Sequence, residues 1–384
     1  VDNSRSAMAS RALRTILAAA ALAARAPGSD ALRTPRRSPN PRMATPTATT
    51  DRTTLGTLDI PALGIGTLNW PLDKRQDPDA AAAMRACVAR GVDLFDTAEA
   101  YGFGRSEELV RDCAAKAGAP ITVATKFAPV PWRMRASDVV DACRASAARL
   151  GLQRIPLYQI HFPDIIQPLA FLGLSQAKDE AFWDGLAQCY EEGLVENVGV
   201  SNYGPKLLAR CQGALEARGV PLASNQINFS LLYRKQGAQA TADWCADRGI
   251  KVLGYFPLAN GLLAGKYHEG SLPPGFKGRA MRKYVEGGVT ERGVVYPKGG
   301  ATPLVRVMRE VAEARGKTVP QVALNYVMCK GVVPIPGCRN ARMAEDNAGA
   351  LGWRLDPGEV ASLEAAADAL GFEFSGGGFG LVED

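Results

Sequence analysis

From Leu55 onward, short apolar runs alternate with longer stretches in which apolar positions recur at helical spacing. The runs cover 63–66, 92–96, 121–125, 157–161, 195–201, 222–226, 251–255 and 332–336. Each is nearly continuous in apolar residues, as a strand buried on both faces requires. The helical patterns between them cover 78–90, 106–117, 136–150, 180–192, 205–218, 237–247 and 318–329. Caps are read at Ser137-Asp138, Ser201 to Pro205, Thr302-Pro303 and Thr318 before Pro320. Gly91, Gly118, Gly151, Gly193, Gly219, Gly249 and Gly331 each precede the next run, where a helix stop belongs.

Eight strands alternating with helices predict an α/β fold, a closed (β/α)8 TIM barrel. An open doubly wound sheet is the competitor, but it carries a third glycine after the first strand. Here Gly64-x-Gly66 runs on into Thr67-Leu68-Asn69-Trp70. A small N-terminal β-hairpin over Thr54, Leu58 and Ile60, turning near Gly56, is expected to close the barrel bottom. Two long connections, 162–179 and 260–301, fall on the C-terminal face, where barrel pockets form. The barrel is thus expected over 51–370, with a flexible tail over 371–384 that holds Gly376-Gly377-Gly378.

Charge changes the picture only at the N-terminus. The net charge is +6, and residues 1–50 hold eight Arg, two Asp and no Lys or Glu. The other 334 residues are therefore balanced, with no net field to attract nucleic acid or anionic lipid. No apolar stretch approaches the ~20 residues of a membrane span. The segment 1–50 reads as a targeting presequence. Arg11 and Arg14 precede the apolar run 16–24, Ala24-Arg25-Ala26 has a cleavage pattern, and an Arg/Ser/Thr/Pro-rich stretch follows. Plastid import is the first expectation and a mitochondrion the second. A start at Met8 or Met43 would leave some of the segment outside targeting, and a cytoplasmic protein is the third.

Eight Cys without a CxxC pair read as small reduced core residues, and two His, His161 and His268, leave no His-rich metal centre. No metal is expected. The candidate chemistry lies at strand ends: Asp96 and then Tyr101 after the second run, Lys126 after the third, His161 after the fourth. Singly, each has an ordinary structural explanation, as a cap, a solvated edge or a satisfied polar group. Together they suit proton transfer to a developing alkoxide. A phenol needs a cation to act as an acid at neutral pH. Lys126 can supply that charge, Asp96 can hold the ammonium, and His161 can orient a carbonyl oxygen. Hydride must come from a cofactor, since no side chain donates one.

With these residues in place the sequence resembles the aldo-keto reductase superfamily over nearly all of 55–370. The resemblance rests on Gly91-Val-Asp-Leu-Phe-Asp-Thr-Ala-Glu-Ala-Tyr-Gly102 with Ser106-Glu107, on Ala124-Thr-Lys126, and on Leu157-Tyr-Gln-Ile-His161. It continues through Val198-Gly-Val-Ser-Asn-Tyr203, Ala223-Ser-Asn-Gln226, Gly254-Tyr-Phe-Pro-Leu-Ala-Asn-Gly261 and Pro334-Ile-Pro-Gly337 to Asn347. Residues 127–133 and 222–228 look most like plastid members. The resemblance implies a (β/α)8 barrel reducing carbonyls with NADPH, its catalytic Asp, Tyr, Lys and His matching Asp96, Tyr101, Lys126 and His161.

For the cofactor it implies Gly66 and Thr67 at the first strand end and Ser201, Asn202 and Gln226 on the nicotinamide carboxamide. It further implies Tyr255 stacked on that ring, Pro257, Leu258, Asn260 and Gly261 along the pyrophosphate, Arg339 on the 2′-phosphate and Asn347 at the adenine. Three positions depart from the family pattern: Phe256 replaces Ser, Met343 stands for Arg or Gln, and Asp346 replaces Glu. NADP over NAD therefore rests on Arg339. Trp70 and Trp132 are candidate pocket walls, or ordinary packing aromatics. Cys338 lies beside the phosphate site.

The leading expectation is NADPH-dependent reduction of an aldehyde or ketone: a reactive lipid aldehyde, a pyridoxal-like compound, a sugar or a quinone. The alternatives are an NAD(P)-dependent alcohol or sugar dehydrogenase and a nucleotide-binding redox sensor with slow turnover. The partner expected is a small-molecule carbonyl, with no nucleic acid or membrane, and the chain is expected to be a monomer.

Overall fold

The computed structural model describes residues 51–384 apart from 72–77, 119, 165–178, 268–270, 273–274, 290–294, 375–379 and 382–384. The expected presequence at 1–50, the glycine run of the tail and most of the first long connection lie outside the described residues.

The strands are β1 (Arg52–Leu55), β2 (Leu58–Pro61), β3 (Ile65–Gly66), β4 (Leu94–Asp96), β5 (Thr122–Phe127), β6 (Ile155–Ile160), β7 (Val195–Ser201), β8 (Leu222–Asn228), β9 (Lys251–Tyr255), β10 (Gly288–Val289), β11 (Val295–Tyr296) and β12 (Val333–Pro334). The helices are α1 (Pro78–Val88), α2 (Arg105–Ala117), α3 (Ala136–Leu150), α4 (Asp179–Glu191), α5 (Pro205–Glu216), α6 (Ala238–Ala246), α7 (Gly275–Val285), α8 (Thr302–Arg315), α9 (Val319–Cys329), α10 (Ala341–Ala348) and α11 (Pro357–Asp368).

Eight strands form one parallel sheet in the order β12-β9-β8-β7-β6-β5-β4-β3. The edges meet where Gly64 N donates to Pro334 O at 3.0 Å and Gly66 N to Pro336 O at 2.9 Å. All eight expected runs are these strands, because a strand covered by helices outside and side chains inside has no polar face to show. The seven glycines expected to stop helices all have positive φ, between 67° and 77°.

The hairpin β1–β2 plugs the barrel bottom. Leu55 and Ile60 are fully buried against Leu94, Ala124, Leu157, Ala223, Leu253 and Val333, drawn from six strands. Each plug side chain contributes roughly 1.5–3 kcal/mol by leaving water. The turn needs Gly56: its φ is +56°, and a Cβ there would fall 1.9 Å from Asn197 Oδ1, which accepts the Thr57 N–H at 2.9 Å.

Two caps differ from the sequence reading. Helix α3 starts with Arg135 as its cap residue, and Asp138 folds back to accept Met134 N and Arg135 N at 2.7 and 2.8 Å. Ala301 caps α8 in place of Thr302, while Gly204, inside the expected stretch from Ser201 to Pro205, caps α5. Thr318 caps α9 as expected, in a reciprocal box with Gln321. The second long connection carries unexpected structure: a 3-10 turn over Ala259–Ala264, α7 and the hairpin β10–β11. All eight cysteines are free thiols, seven of them buried. Among the described residues no helix is long and apolar enough to cross a membrane.

Candidate active site

Asp96 is the last residue of β4, Lys126 lies near the end of β5 and His161 directly follows β6. Three neighbouring parallel strands thus carry them to one end of the barrel. Lys126 is fully buried, and its Nζ donates to Asp96 Oδ1 and to Thr97 O, both at 2.7 Å. Burial pulls the ammonium below its ordinary range, while the Asp96 carboxylate opposes that shift. Gln226, on β8, donates Nε2 to the other carboxylate oxygen at 2.7 Å. Both Asp96 oxygens are therefore paired, as a buried carboxylate requires.

Tyr101 sits on the turn after β4, with its ring centroid 5.3 Å from Lys126 Nζ. The His161 ring meets it edge-on at 5.7 Å. Burial, then the Asp96 charge, pushes the phenol well above its ordinary range, so it holds its proton at neutral pH. Two of the three ammonium N–H donors of Lys126 go to Asp96 and Thr97, which hold its charge beside the Tyr101 ring. Burial, then the Lys126 charge, pulls His161 well below the ordinary histidine range, so the imidazole is neutral. Its Nδ1 is buried without a partner.

An amide cluster lines the next strand ends. Ser201 Oγ donates to Gln226 O at 2.8 Å, and Asn202 Nδ2 donates to Ser201 Oγ at 2.9 Å and His161 O at 3.2 Å. Tyr255 OH donates to Asn202 Oδ1 at 2.7 Å. The resemblance placed Ser201, Asn202, Gln226 and Tyr255 around one ring, and the fold joins these four by hydrogen bonds and links them through Gln226 to Asp96. After β9 the backbone is strained: Phe256, Ala259 and Asn260 have φ of 53°, 47° and 54°, and Gly261 has 101°. Non-glycine residues in this region cost of order 1–3 kcal/mol each and cluster at ligand sites. Pro257 and Leu258 lie inside this turn.

The profile of the Aldo/keto reductase family matches residues 62–368. The chain belongs to the aldo/keto reductase family. It is 38% identical over 329 residues to "Pyridoxal reductase, chloroplastic" of Arabidopsis thaliana, covering 82% of this chain and 85% of that one. It is 24% identical over 333 residues to an aldo-keto reductase of Schizosaccharomyces pombe named for NADP(+), covering 82% and 90%. Among solved structures, the glycerol dehydrogenase of Gluconobacter oxydans superposes with a TM-score of 0.68 at 22% identity, over 83% of this chain and 96% of that one. This last likeness is one of fold.

Other residues of this aldo/keto reductase fall where the sequence could not place them. Trp70 is 3% exposed; its indole N–H donates to Cys338 O at 2.6 Å and its ring packs edge-on against Phe95. It packs in the core and ties the β3 end to the 337–340 turn. Trp132, by contrast, is 76% exposed. The large exposed apolar side chains among the described residues are Phe103, Trp132, Met134, Val289 and Val295. All five lie on connections leaving β4, β5 or β9 at the C-terminal face.

Gly66 lies at the closing seam, where a Cβ would come 3.1 Å from Ile335 O. Thr67 is buried, its hydroxyl bonded to Asp96 O and Ser106 Oγ at 3.0 Å each. Arg339 is exposed and makes no ion pair among the described residues. Asn347 is buried on α10, with Nδ2 3.5 Å from Gly337 O. Two departures from the family pattern are accounted for. Met343 packs on a core cluster, and Asp346 Oδ1 accepts Thr318 Oγ1 at 2.7 Å, which turns it toward α9.

Sequence reasoning missed a buried ionic group beneath the mouth. Glu99 accepts from Ala128 N and from Arg133, while Glu107 accepts Arg149 Nε and Thr125 Oγ1, both at 2.6 Å. A carboxylate two residues before Tyr101 and another just after Ser106 were both inside the quoted motif. The signal was present, but nothing in one dimension paired Glu99 with Arg133.

Proposed function

We propose that this protein reduces an aldehyde or ketone to an alcohol with NADPH, with Tyr101 as proton donor. The observation that carries the reading is the buried Lys126–Asp96 pair below a protonated Tyr101 and beside a neutral His161. A bound nicotinamide dinucleotide supplies the hydride. The residues present suit such a group: hydroxyl and amide groups on Ser201, Asn202 and Gln226, the strained turn after Tyr255, and the Arg339 guanidinium, which has no ion pair among the described residues. Tyr255, Pro257, Leu258, Asn260, Gly261 and Asn347 complete the contacts. Arg339 and the NADP(+) named for the Schizosaccharomyces pombe relative support NADP over NAD.

In this reading His161 holds the carbonyl oxygen through its neutral imidazole, and Tyr101 delivers the proton to it. Lys126 then stabilises the phenolate left behind, and Asp96 fixes the ammonium. The named substrate of the 38%-identical relative supports a compact heteroaromatic aldehyde of the pyridoxal type. Its chloroplastic name, with the Arg-rich residues 1–50, supports a plastid protein imported by that segment. We take the enzyme to act as a monomer.

The test is to mix the purified protein with NADPH and a panel of aldehydes and follow the nicotinamide absorbance, with Tyr101→Phe alongside. Consumption that vanishes in the variant supports the reading. Consumption that persists at the same rate overturns the role of Tyr101, and no consumption with any aldehyde overturns reduction itself.

A further inference from the structure

Glu99 is a carboxylate kept almost entirely from water, on the turn that leads to Tyr101. Its Oε1 accepts the Ala128 N–H at 2.6 Å and an Arg133 guanidinium N–H; its Oε2 accepts a second from Arg133 at 3.2 Å. Arg133 also donates to Ala128 O at 3.1 Å, and its guanidinium lies 4.9 Å over the Phe127 ring. Inside the loop, Val130 N donates to Ala128 O and Arg133 N to Val130 O. The loop 128–133 is thus tied at both ends to one side chain on the neighbouring turn.

That arrangement is costly. Glu99 is buried while Arg133 is a quarter exposed, and a desolvated carboxylate in such a pair seldom adds stability over an apolar residue of the same volume; fixing geometry is one use it can serve. What it specifies here is Trp132, held between Pro131 and Arg133 and 76% exposed. An exposed indole on a loose loop would lose freedom on meeting a ligand, and a clamp that orders it beforehand removes that cost. Resting on the carbonyl-reductase reading above, we propose that Glu99 is a positioning residue. Through Arg133 and the Ala128 amide it holds Trp132 as a fixed wall on the rim shared with Tyr101, selecting flat aromatic carbonyls over small aliphatic ones.

The experiment compares Glu99→Gln, Trp132→Ala and the double variant in the full chain, with benzaldehyde and propanal as probes. Glu99→Gln should raise KM for benzaldehyde about tenfold and leave kcat, NADPH affinity and KM for propanal within about twofold. In the Trp132→Ala background the same change should have no further effect, since coupled residues are non-additive. Equal losses for both aldehydes, or losses that simply add, overturn the proposal. Arg133→Lys keeps the charge without the fork and should show the same selective loss, which covers a Glu99→Gln chain that fails to fold.

A separate readout needs no turnover: acrylamide quenching of Trp132 fluorescence, with Trp132→Phe as the blank. Stronger quenching in Glu99→Gln or Arg133→Lys supports the clamp, and unchanged quenching overturns it. A wild-type protein that reduces neither probe counts against the proposed function and leaves this readout of the clamp intact.

Discussion

Lys126 and Asp96 form an ion pair at 2.7 Å in which neither side chain is more than 4% exposed. Removing one partner from such a pair leaves an uncompensated buried charge, at a cost of about 3–5 kcal/mol. Lys126→Met and Asp96→Asn should each lower the unfolding midpoint in denaturant. The double variant should recover part of that stability while remaining inactive. A double variant that loses the sum of the two single losses would mean that the pair is not coupled.

Tyr101→Phe removes one hydroxyl and leaves the ring against His161. Steady-state reduction should fall by roughly 10²–10⁴-fold, the usual share of a general acid. NADPH affinity, read from fluorescence titration, should stay within about twofold, because the lost group acts on the carbonyl oxygen.

Arg339 has no acidic partner among the described residues and so is available to a phosphate. A charge-assisted hydrogen bond is worth about 1.5–3 kcal/mol, so Arg339→Ala should weaken NADPH by roughly 10–150-fold. NADH affinity should hardly change. Equal weakening of both coenzymes would remove Arg339 from the 2′-phosphate.

Trp70→Phe tests the placement of that indole in the core. The Cys338 carbonyl would lose its 2.6 Å donor, at a cost of about 1–3 kcal/mol in denaturant unfolding. The KM of the aldehyde should not move. A raised KM at unchanged stability would return Trp70 to the pocket wall.

Asp179, at the start of α4, is pushed up to about 6 by burial, against the Asp164 N–H and Tyr203 hydroxyl that donate to it. The unfolded carboxyl releases its proton near 3.8. Between those values the native state holds the extra proton, so stability falls as pH rises from about 4 to 6 and this contribution is level above. Asp179→Asn keeps an acceptor without the charge and should remove that fall, stabilising the protein at pH 7 by ~2–3 kcal/mol. Thermal midpoints across pH 4 to 8 for both proteins decide it; parallel curves would refute the assignment.

The strands were legible because burial on both faces leaves an unbroken apolar run, and the glycine before seven of the eight runs marks where the helix must stop. Thr318 was legible as a cap because its box with Gln321 is local. The cap of α3 was not, because Asp138 reaches back to Met134 and Arg135 from inside the first turn. Asp96, Lys126 and His161 could be read as a site because each lies at a strand end, and parallel strands bring their C-terminal ends to one face.

What the sequence by itself determined is therefore the element order, the barrel and the end of it that carries the polar groups. These follow from periodicity and from helix stops, which act over a few residues. The tertiary structure alone decided how those groups are spent. Gln226 donates to Asp96 across 130 residues, Trp70 donates to a carbonyl 268 residues away, and Glu99 takes its partner from 34 residues on. Hydrogen bonds and ion pairs are made between atoms within about 3 Å in space. Which donor reaches which acceptor depends on the twist and stagger of the closed sheet and on burial, and neither is written in the order of residues along one strand.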